Sequence, residues 1–523
     1  ISVFVLNITS IIGLGISIDY SLFMIRRFRD ELAAGRSTSD AVGWTVATAG
    51  ESILFSGLIV MIGFCALLVI GVDIMTSLGI GGAVVVAISV LAALTLLPAL
   101  LGVLGHRVNS LRVLFFSRLT AHTQQNEGST KNQGPEPYHG SESGGLIRGR
   151  ACPCPGGFWQ RWAMGIMKRP VLIILLVTLL LAGLGWPIFS ISLGSTSTTT
   201  IPTSSEARQG IDILNAQFPE TNEQLVSIVV QAPNGSSMLT SGNLAKLDSL
   251  SIWIAKQAYV TGVISLTRMP TTPGTPALAE QQLATLYSTG DYQRNPAMTQ
   301  FVASTTDGNT TLITVTTNAK VDSSEGKALV NNLRAGDKAA AQGLTVLIGG
   351  DQADSLDFNN YLYGNFPWAI LVILISTYIL LLLMFRSVFL PLKAILMNVL
   401  SVGACLGVLV FIFQWGNFSN ILGFTSQGFL DSIIPILLFC ILFGLSIDYE
   451  VFLLSRIREE WLLTHNNRWS VARGLEKTGG VITNAALLFV IVAGAFAFTS
   501  IIVVKEMGLG MALAVLLDAT IIR

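Results

Sequence analysis

The sequence predicts a polytopic α-helical membrane protein with a parallel internal repeat and one extracytoplasmic α+β domain of βαβ, ferredoxin-like type. Three observations predict it. Hydrophobic residues make up 51% of the chain and charged residues 12%, against about 25% charged in a soluble domain; mean hydropathy is +0.64. The hydrophobic residues fall in blocks near the ~20 residues that cross hydrocarbon. The phrase Gly15-Ile16-Ser17-Ile18-Asp19-Tyr20 returns as Gly444-Leu445-Ser446-Ile447-Asp448-Tyr449, each time inside such a block.

Eight blocks reach spanning length: Ile1–Ile25, Ile53–Ile70, Ser77–Leu104, Val171–Ile191, Phe366–Phe385, Leu390–Phe413, Ile433–Ser455 and Val481–Thr499. A ninth, Met507–Ile522, is shorter. If the chain crosses at each block, Arg26, Arg27, Arg29, Arg36, Arg107, Arg112, Arg118, Lys168, Arg169, Arg386, Lys393, Arg456, Arg458, Arg468, Arg473 and Lys477 all fall on one side. That side is cytoplasmic by the positive-inside rule. Trp186, Trp368 and Trp415 suit an interfacial belt.

The expected divisions are 1–104, the end of a first transmembrane repeat; 105–169, a cytoplasmic linker; 170–191, a span; 192–365, an extracytoplasmic porter domain; and 366–523, a second repeat. The stretch from Gly105 to Lys168 is polar and rich in Gly, Ser, Asn and Gln, and reads as a disordered linker. Cys152 and Cys154 within it lack the second Cys or His pair of a metal site. In the outer domain, Gln224–Gln231, Val260–Leu266, Met298–Ser304, Thr310–Thr316 and Leu344–Ile348 read as strands. Gly242–Gln257 and Glu325–Ala341 read as helices, and Gln352–Tyr363 as a helix leading into the next span. This alternation suggests βαβ units. No His lies between Gly140 and His465, and no nucleophile elbow or phosphate loop occurs, so an enzyme is not expected. With 31 basic and 31 acidic residues the chain has no net field for nucleic acid.

Shifting the sequence by 429 residues (448 − 19) superposes the two phrases without a gap. Phe23 then meets Phe452, Arg29 meets Arg458, Glu31 meets Glu460, Gly50 meets Gly479 and Gly79 meets Gly508. Both copies run in the same direction, as in a parallel repeat. By that symmetry about 260 N-terminal residues with three spans and an outer domain are expected to be missing, and the complete protein to have twelve spans and two outer domains. The 523 residues alone are then not expected to transport.

A carboxylate in hydrocarbon is a functional residue by default, and two at matching repeat positions point to a paired proton site. Because a helix turns ~100° per residue, Asp and the adjacent Tyr face different ways. Side-by-side packing then lets Asp19 meet Tyr449 and Asp448 meet Tyr20, the phenols donating. Gly15 and Gly444, one turn above, leave room for close helix approach, and Phe23 and Phe452, one turn below, seal the site from cytoplasmic water. Neighbouring carboxyls titrate as a coupled pair. Glu450 is a third acid beside the site, without a counterpart at Ser21; a helix-flank role is its alternative. Glu51 opens a span at the interface, and Asp518 either joins the relay or pairs with Arg523. The alternative for the Asp residues themselves is helix-to-helix hydrogen bonding alone.

The doubled Gly-(Ile/Leu)-Ser-Ile-Asp-Tyr-x-x-Phe, the large domain after a span and the Asp518–Arg523 ending resemble the MmpL family of the RND superfamily. The resemblance implies export of lipids or other hydrophobic compounds across the bacterial inner membrane, driven by the proton gradient without a bound cofactor. It implies as partners the hydrophobic substrate, membrane lipids, and a homo-oligomer or accessory proteins. A Patched-like, sterol-sensing lipid-binding protein and a secretion-accessory proton motor are the alternative functions.

Overall fold

The computed structural model describes residues 3–109, 157–194, 205–218, 224–269 and 280–522. The membrane part opens with α1 (Val3–Ala33), α2 (Thr38–Thr45), α3 (Glu51–Ala66), α4 (Asp73–Leu94) and α5 (Leu96–Leu104). A π-turn, Val46–Gly50, makes α2 and α3 nearly one helix. Then come α6 (Phe158–Ile166), α7 (Pro170–Gly185) and the short strand β1 (Leu193–Gly194). Eight helical segments among the described residues are long and apolar enough to cross a membrane. They extend past the apolar blocks because the helices continue through the basic flanks: α1 carries Arg26, Arg27 and Arg29.

The α+β body contains α8 (Glu206–Gln217), β2 (Gln224–Gln231), α9 (Ser241–Ala255), β3 (Val260–Ile264), α10 (Glu280–Thr289), α11 (Pro296–Thr305), β4 (Thr306–Asp307), β5 (Thr310–Thr317), α12 (Ser324–Ala340) and β6 (Thr345–Gly349). The sheet order is β3-β5-β2-β6, with every pairing antiparallel. Numbered within the body as strands one to four, that is 2-3-1-4, the split βαβ order of a ferredoxin-like fold. Val226, Ile228, Val230, Ile313 and Val315 point to one face and are buried against α9 and α12 through Leu247, Leu250, Leu329 and Leu333, the period-2 alternation of a half-covered sheet.

The segment Met298–Ser304, read above as a strand, is helix α11. Pro296 sits in its first turn, and the Asn295 side chain accepts the Ala297 and Met298 backbone N–H groups, a start that overrides the strand-like composition. α8 and α10 add two helices beyond the elements that the apolar pattern predicts. The expected disordered linker also needs correction at its end: α6 packs Trp159, Ala163 and Met167 on Ala472 and Leu475. There Glu476 accepts the Gln160 backbone N–H at 2.8 Å. Cys152 and Cys154 lie outside the described residues.

The body passes back into the membrane through α13 (Asp351–Phe385), one continuous helix. It is followed by α14 (Phe389–Leu409), α15 (Ser419–Leu422), β7 (Leu430–Asp431), α16 (Ile434–Thr464), α17 (Asn467–Ala495) and α18 (Ile502–Leu517). β7 pairs in parallel with β1, ending on α16. The repeat is visible in the packing: α1 contacts α4 and α17, while α16 contacts α18 and α3. The buried acids Glu31 and Glu460 are repeat counterparts. Glu31 pairs with Arg27 and Arg36, each at 2.9 Å, and Glu460 with Arg473 and Lys477.

Candidate proton-relay site in the membrane

α1 and α16 carry the two phrases, and burial brings all four chemistry-bearing side chains out of solvent: Asp19, Tyr20, Asp448 and Tyr449 are each at most 6% exposed. Tyr449 Oη donates to Asp19 Oδ2 at 2.8 Å, joining the repeats through one bond. The reciprocal contact is different. Tyr20 Oη lies 3.1 Å from Ser56 Oγ on α3. Ser56 and Tyr20 both face Asp448, with Asp19 near enough to act on it through its charge. The repeat explains the asymmetry: the counterpart of Ser56 is Ala485, 429 residues on. Tyr449 therefore has no hydroxyl of that kind to meet, and it turns to the carboxylate.

The glycines act as spacers, but against other partners than the opposite Asp-Tyr helix. A Cβ on Gly15 would stand 2.4 Å from Phe489 Cε2 of α17, and one on Gly444 would stand 2.7 Å from Val60 Cα of α3. Phe489 is the 429-shifted counterpart of Val60, so the two contacts are one contact repeated. Each Asp-Tyr helix is wedged against the second helix of the other repeat. One turn toward the basic loops, Phe23 and Phe452 stack with centroids 3.6 Å apart and planes 10° apart, closing that end of the site.

Glu450 is paired with Lys393 on α14 at 2.7 Å, which holds it at the flank of the site. Its counterpart Ser21 instead donates to the Ser17 carbonyl. Asp518, in the π-turn after α18, accepts from Ser401 Oγ at 2.5 Å. Arg523, its expected partner, lies outside the described residues. Ser17 and Ser89 bond each other at 3.0 Å, and their repeat counterparts are Ser446 and Asp518; an acid thus replaces a hydroxyl in the second copy. Glu51 opens α3, exposed.

Among the described residues Asp19, Asp448 and Asp518 make no ion pair. Among the described residues Asp19 Oδ1 and Asp448 Oδ1 have no hydrogen-bond partner. Hydroxyls can donate to a carboxylate or accept from a carboxylic acid, so a site built this way has partners for both protonation states. Sequence reasoning missed Ser56 and Ser401. Single hydroxyls occur in many apolar helices, and only tertiary packing distinguishes these two. Among the described residues no group of three or more His, Cys, Asp or Glu is placed to hold a metal.

Comparison with known proteins follows the same lines. The trehalose monomycolate exporter MmpL3 of Mycobacterium tuberculosis is 32% identical over 519 residues, 99% of this chain and 50% of the exporter. The mycolic acid-containing lipids exporter MmpL11 of Mycolicibacterium smegmatis is 29% identical over 524 residues, 100% of this chain and 48% of that protein. The chain spans about half the length of these curated relatives. A crystal structure of SecDF aligns with 98% of this chain and 52% of its own at 14% identity, with a TM-score of 0.47. The MMPL family matches residues 1–173 and 199–523. This is a multi-pass protein of the bacterial inner membrane, and it belongs to the MMPL family of the RND superfamily.

Proposed function

We propose that the protein exports a lipid or another hydrophobic compound, driven by protons that pass through Asp19, Tyr20, Asp448 and Tyr449. The observation that carries this reading is the Tyr449–Asp19 hydrogen bond between the repeats, made where, among the described residues, no basic side chain pairs with either acid. The substrate class is supported by relatives named as exporters of mycolic lipids. Those names also favour a transporter over an enzyme.

In this reading protonation changes the charge between α1 and α16, and helix packing follows because buried charge and buried acid need different surroundings. Two connections carry the movement to the α+β body. α16 begins directly after β7, which is paired to β1. α13 runs unbroken from the body into the membrane, and its Tyr363 donates to the Ser432 carbonyl at 2.8 Å, beside the start of α16. Gly15, Gly444, Phe23 and Phe452 shape and seal the site, and Glu450 supports it from the flank.

The test is reconstitution of the full-length parent protein in vesicles, with proton flux and efflux of a lipid-like dye followed together. Asp19→Asn and Asp448→Asn should each abolish both fluxes with normal insertion. Unchanged fluxes in both variants would reduce the carboxyls to helix contacts and refute the relay.

A further inference from the structure

α6 (Phe158–Ile166) ends just before Pro170, where the span Pro170–Ser190 begins, so it lies at the inner surface of the membrane. One side of it is fastened to the protein. Trp159, Ala163 and Met167 pack on Ala472 and Leu475 of α17, and Glu476 accepts the Gln160 N–H of its first turn at 2.8 Å. At ~100° per residue these three side chains share one side of the helix. The arc turned away from α17 carries Phe158, Arg161 and Trp162, all exposed. Phe158 and Trp162 are 62% and 54% exposed, and they stack on each other with centroids 6.1 Å apart and planes 19° apart.

The charge around this arc has one sign. Between Glu142 and Glu206 the sequence holds no acid, but it holds Arg148, Arg150, Arg161, Lys168 and Arg169. Among the described residues Arg161, Lys168 and Arg169 make no ion pair, whereas Arg473 and Lys477 of α17 are taken up by Glu460. The positive-inside bias accounts for cations in this segment, but not for two large rings on the same exposed arc. Rings beside unpaired cations at the depth of a membrane surface match an anionic headgroup above its first acyl carbons. The apolar surface also runs on without a break into α7, whose Val171, Ile174 and Leu175 are exposed where the span meets lipid. An acidic protein partner would match the cations but not a surface that continues into hydrocarbon.

We propose that α6 is a binding site for an acidic phospholipid of the inner leaflet: the lipid phosphate meets Arg161, Lys168 and Arg169, and the upper acyl chains cover Phe158 and Trp162. The seat of α6 is particular to the second repeat. The counterparts of Ala472 and Glu476 are Gly43 and Ala47, which supply neither the packed methyl nor the carboxylate. The helix that carries α6 reaches the other repeat as well, because Phe489 of α17 is the ring set against Gly15 of α1. Lipid held on α6 therefore bears on the helix that wedges α1. The site stands whether or not the protein exports lipid.

The test places a fluorophore at Gly165→Cys in the full-length protein with its native cysteines replaced, in phosphatidylcholine nanodiscs. A side chain at Gly165 meets nothing within 4 Å, and both rings stay in place. Quenching is compared between phosphatidylglycerol and phosphatidylcholine carrying a nitroxide high on the acyl chain, at equal mole fraction. The expected result is quenching by both lipids, stronger for phosphatidylglycerol. A cation at an acidic surface is worth about fivefold in binding. Lys168→Gln alone should then lower the preference severalfold, and Arg161→Gln, Lys168→Gln, Arg169→Gln together should abolish it. The charge-keeping Arg161→Lys, Arg169→Lys variant should retain it, and Phe158→Ala with Trp162→Ala should weaken quenching by both lipids alike. Equal quenching by the two lipids overturns the site, as does a preference that survives the triple variant. Absence of quenching by either lipid overturns it too, by placing the arc in water or under a protein. The readout is independent of transport, so its failure is separate from failure of the relay.

Discussion

The repeated wedge of a glycine against the opposite repeat gives a prediction with a built-in control. In Gly444→Ala the new Cβ would lie 2.7 Å from Val60 Cα and 3.3 Å from Val60 Cβ. Carbon atoms rest at about 3.5–4.0 Å, so α16 and α3 must part by roughly 1 Å. The clash is with main chain, and no rotamer relieves it. Overpacking of this kind costs about 1–3 kcal/mol, or about 5- to 140-fold in the correctly packed population at ~1.4 kcal/mol per decade. The same displacement moves Ser56, one turn along α3, away from Asp448. In Gly15→Ala the clash is instead with a side chain, the Phe489 ring at 2.4 Å. Substituting Phe489→Val, which copies the residue of the other repeat, should therefore rescue Gly15→Ala, while Val60→Ala should not rescue Gly444→Ala. Thermal unfolding in detergent measures the packing, and proton flux in vesicles the consequence. A Gly444→Ala protein as stable as wild type would refute the reasoning, as would rescue of Gly444→Ala by Val60→Ala.

Tyr449→Phe should reduce proton flux more than Tyr20→Phe. The first removes a bond to a carboxylate, typically about 1.5–3 kcal/mol, and the second one between hydroxyls, about 0.5–1.5 kcal/mol; equal effects in a flux assay would contradict the asymmetry. Adding Ala485→Ser should make the two Tyr→Phe effects more alike. Lys393→Ala removes the Glu450 ion pair, in which the lysine is 56% exposed; it should change stability by less than about 1 kcal/mol and leave flux near wild type. In the α+β body, Tyr287 donates to the Leu266 carbonyl at 3.0 Å, and burial pushes its phenol up to about 12. Because the folded value is raised, its contribution is complete below the unfolded value near 10 and is lost as pH rises from about 10 to about 12. Tyr287→Phe should remove that part of the alkaline loss, read by denaturation across this range.

The sequence revealed whatever depends on period and repetition. Spans appear as apolar blocks, and the outer sheet as β-branched alternation; the relay shows as an identical phrase at a fixed offset. What stayed hidden depends on which surfaces meet. Met298–Ser304 carries two β-branched residues, Thr299 and Val302, and an aromatic, Phe301, and so reads as a strand, yet Asn295 and Pro296 start a helix two residues earlier. α6 looked like the end of a polar linker because its stabilising partners, Ala472 and Leu475, are some 310 residues away in sequence. The mutual wedge of glycines against the other repeat's second helix was equally invisible, since the offset aligns copies without showing which copy packs on which.

The differences between copies bear most on direction. A two-fold site with identical halves would offer a proton equivalent positions on Asp19 and Asp448. Here three substitutions across the 429-residue offset break that equivalence: Ser56 for Ala485, Ser89 for Asp518, and Ser21 for Glu450. The first gives Tyr20 a hydroxyl partner and leaves Tyr449 to Asp19. The second and third place acids beside the second copy, Asp518 held by Ser401 and Glu450 by Lys393. The two carboxyls therefore sit in unlike surroundings, and unlike surroundings give unlike proton affinities. On the proposed relay, that inequality is what repeat divergence supplies: a duplicated helix provides two sites, and point differences order them. Exchanging Ser56 and Ala485 by Ser56→Ala with Ala485→Ser tests this directly. If order resides in that pair, the exchanged protein should shift the phenol–carboxylate bond to Tyr20 and Asp448, and Tyr20→Phe should become the more damaging of the two phenol deletions. A protein in which Tyr449→Phe stays the worse deletion after the exchange would place the asymmetry with Asp518 and Glu450 instead.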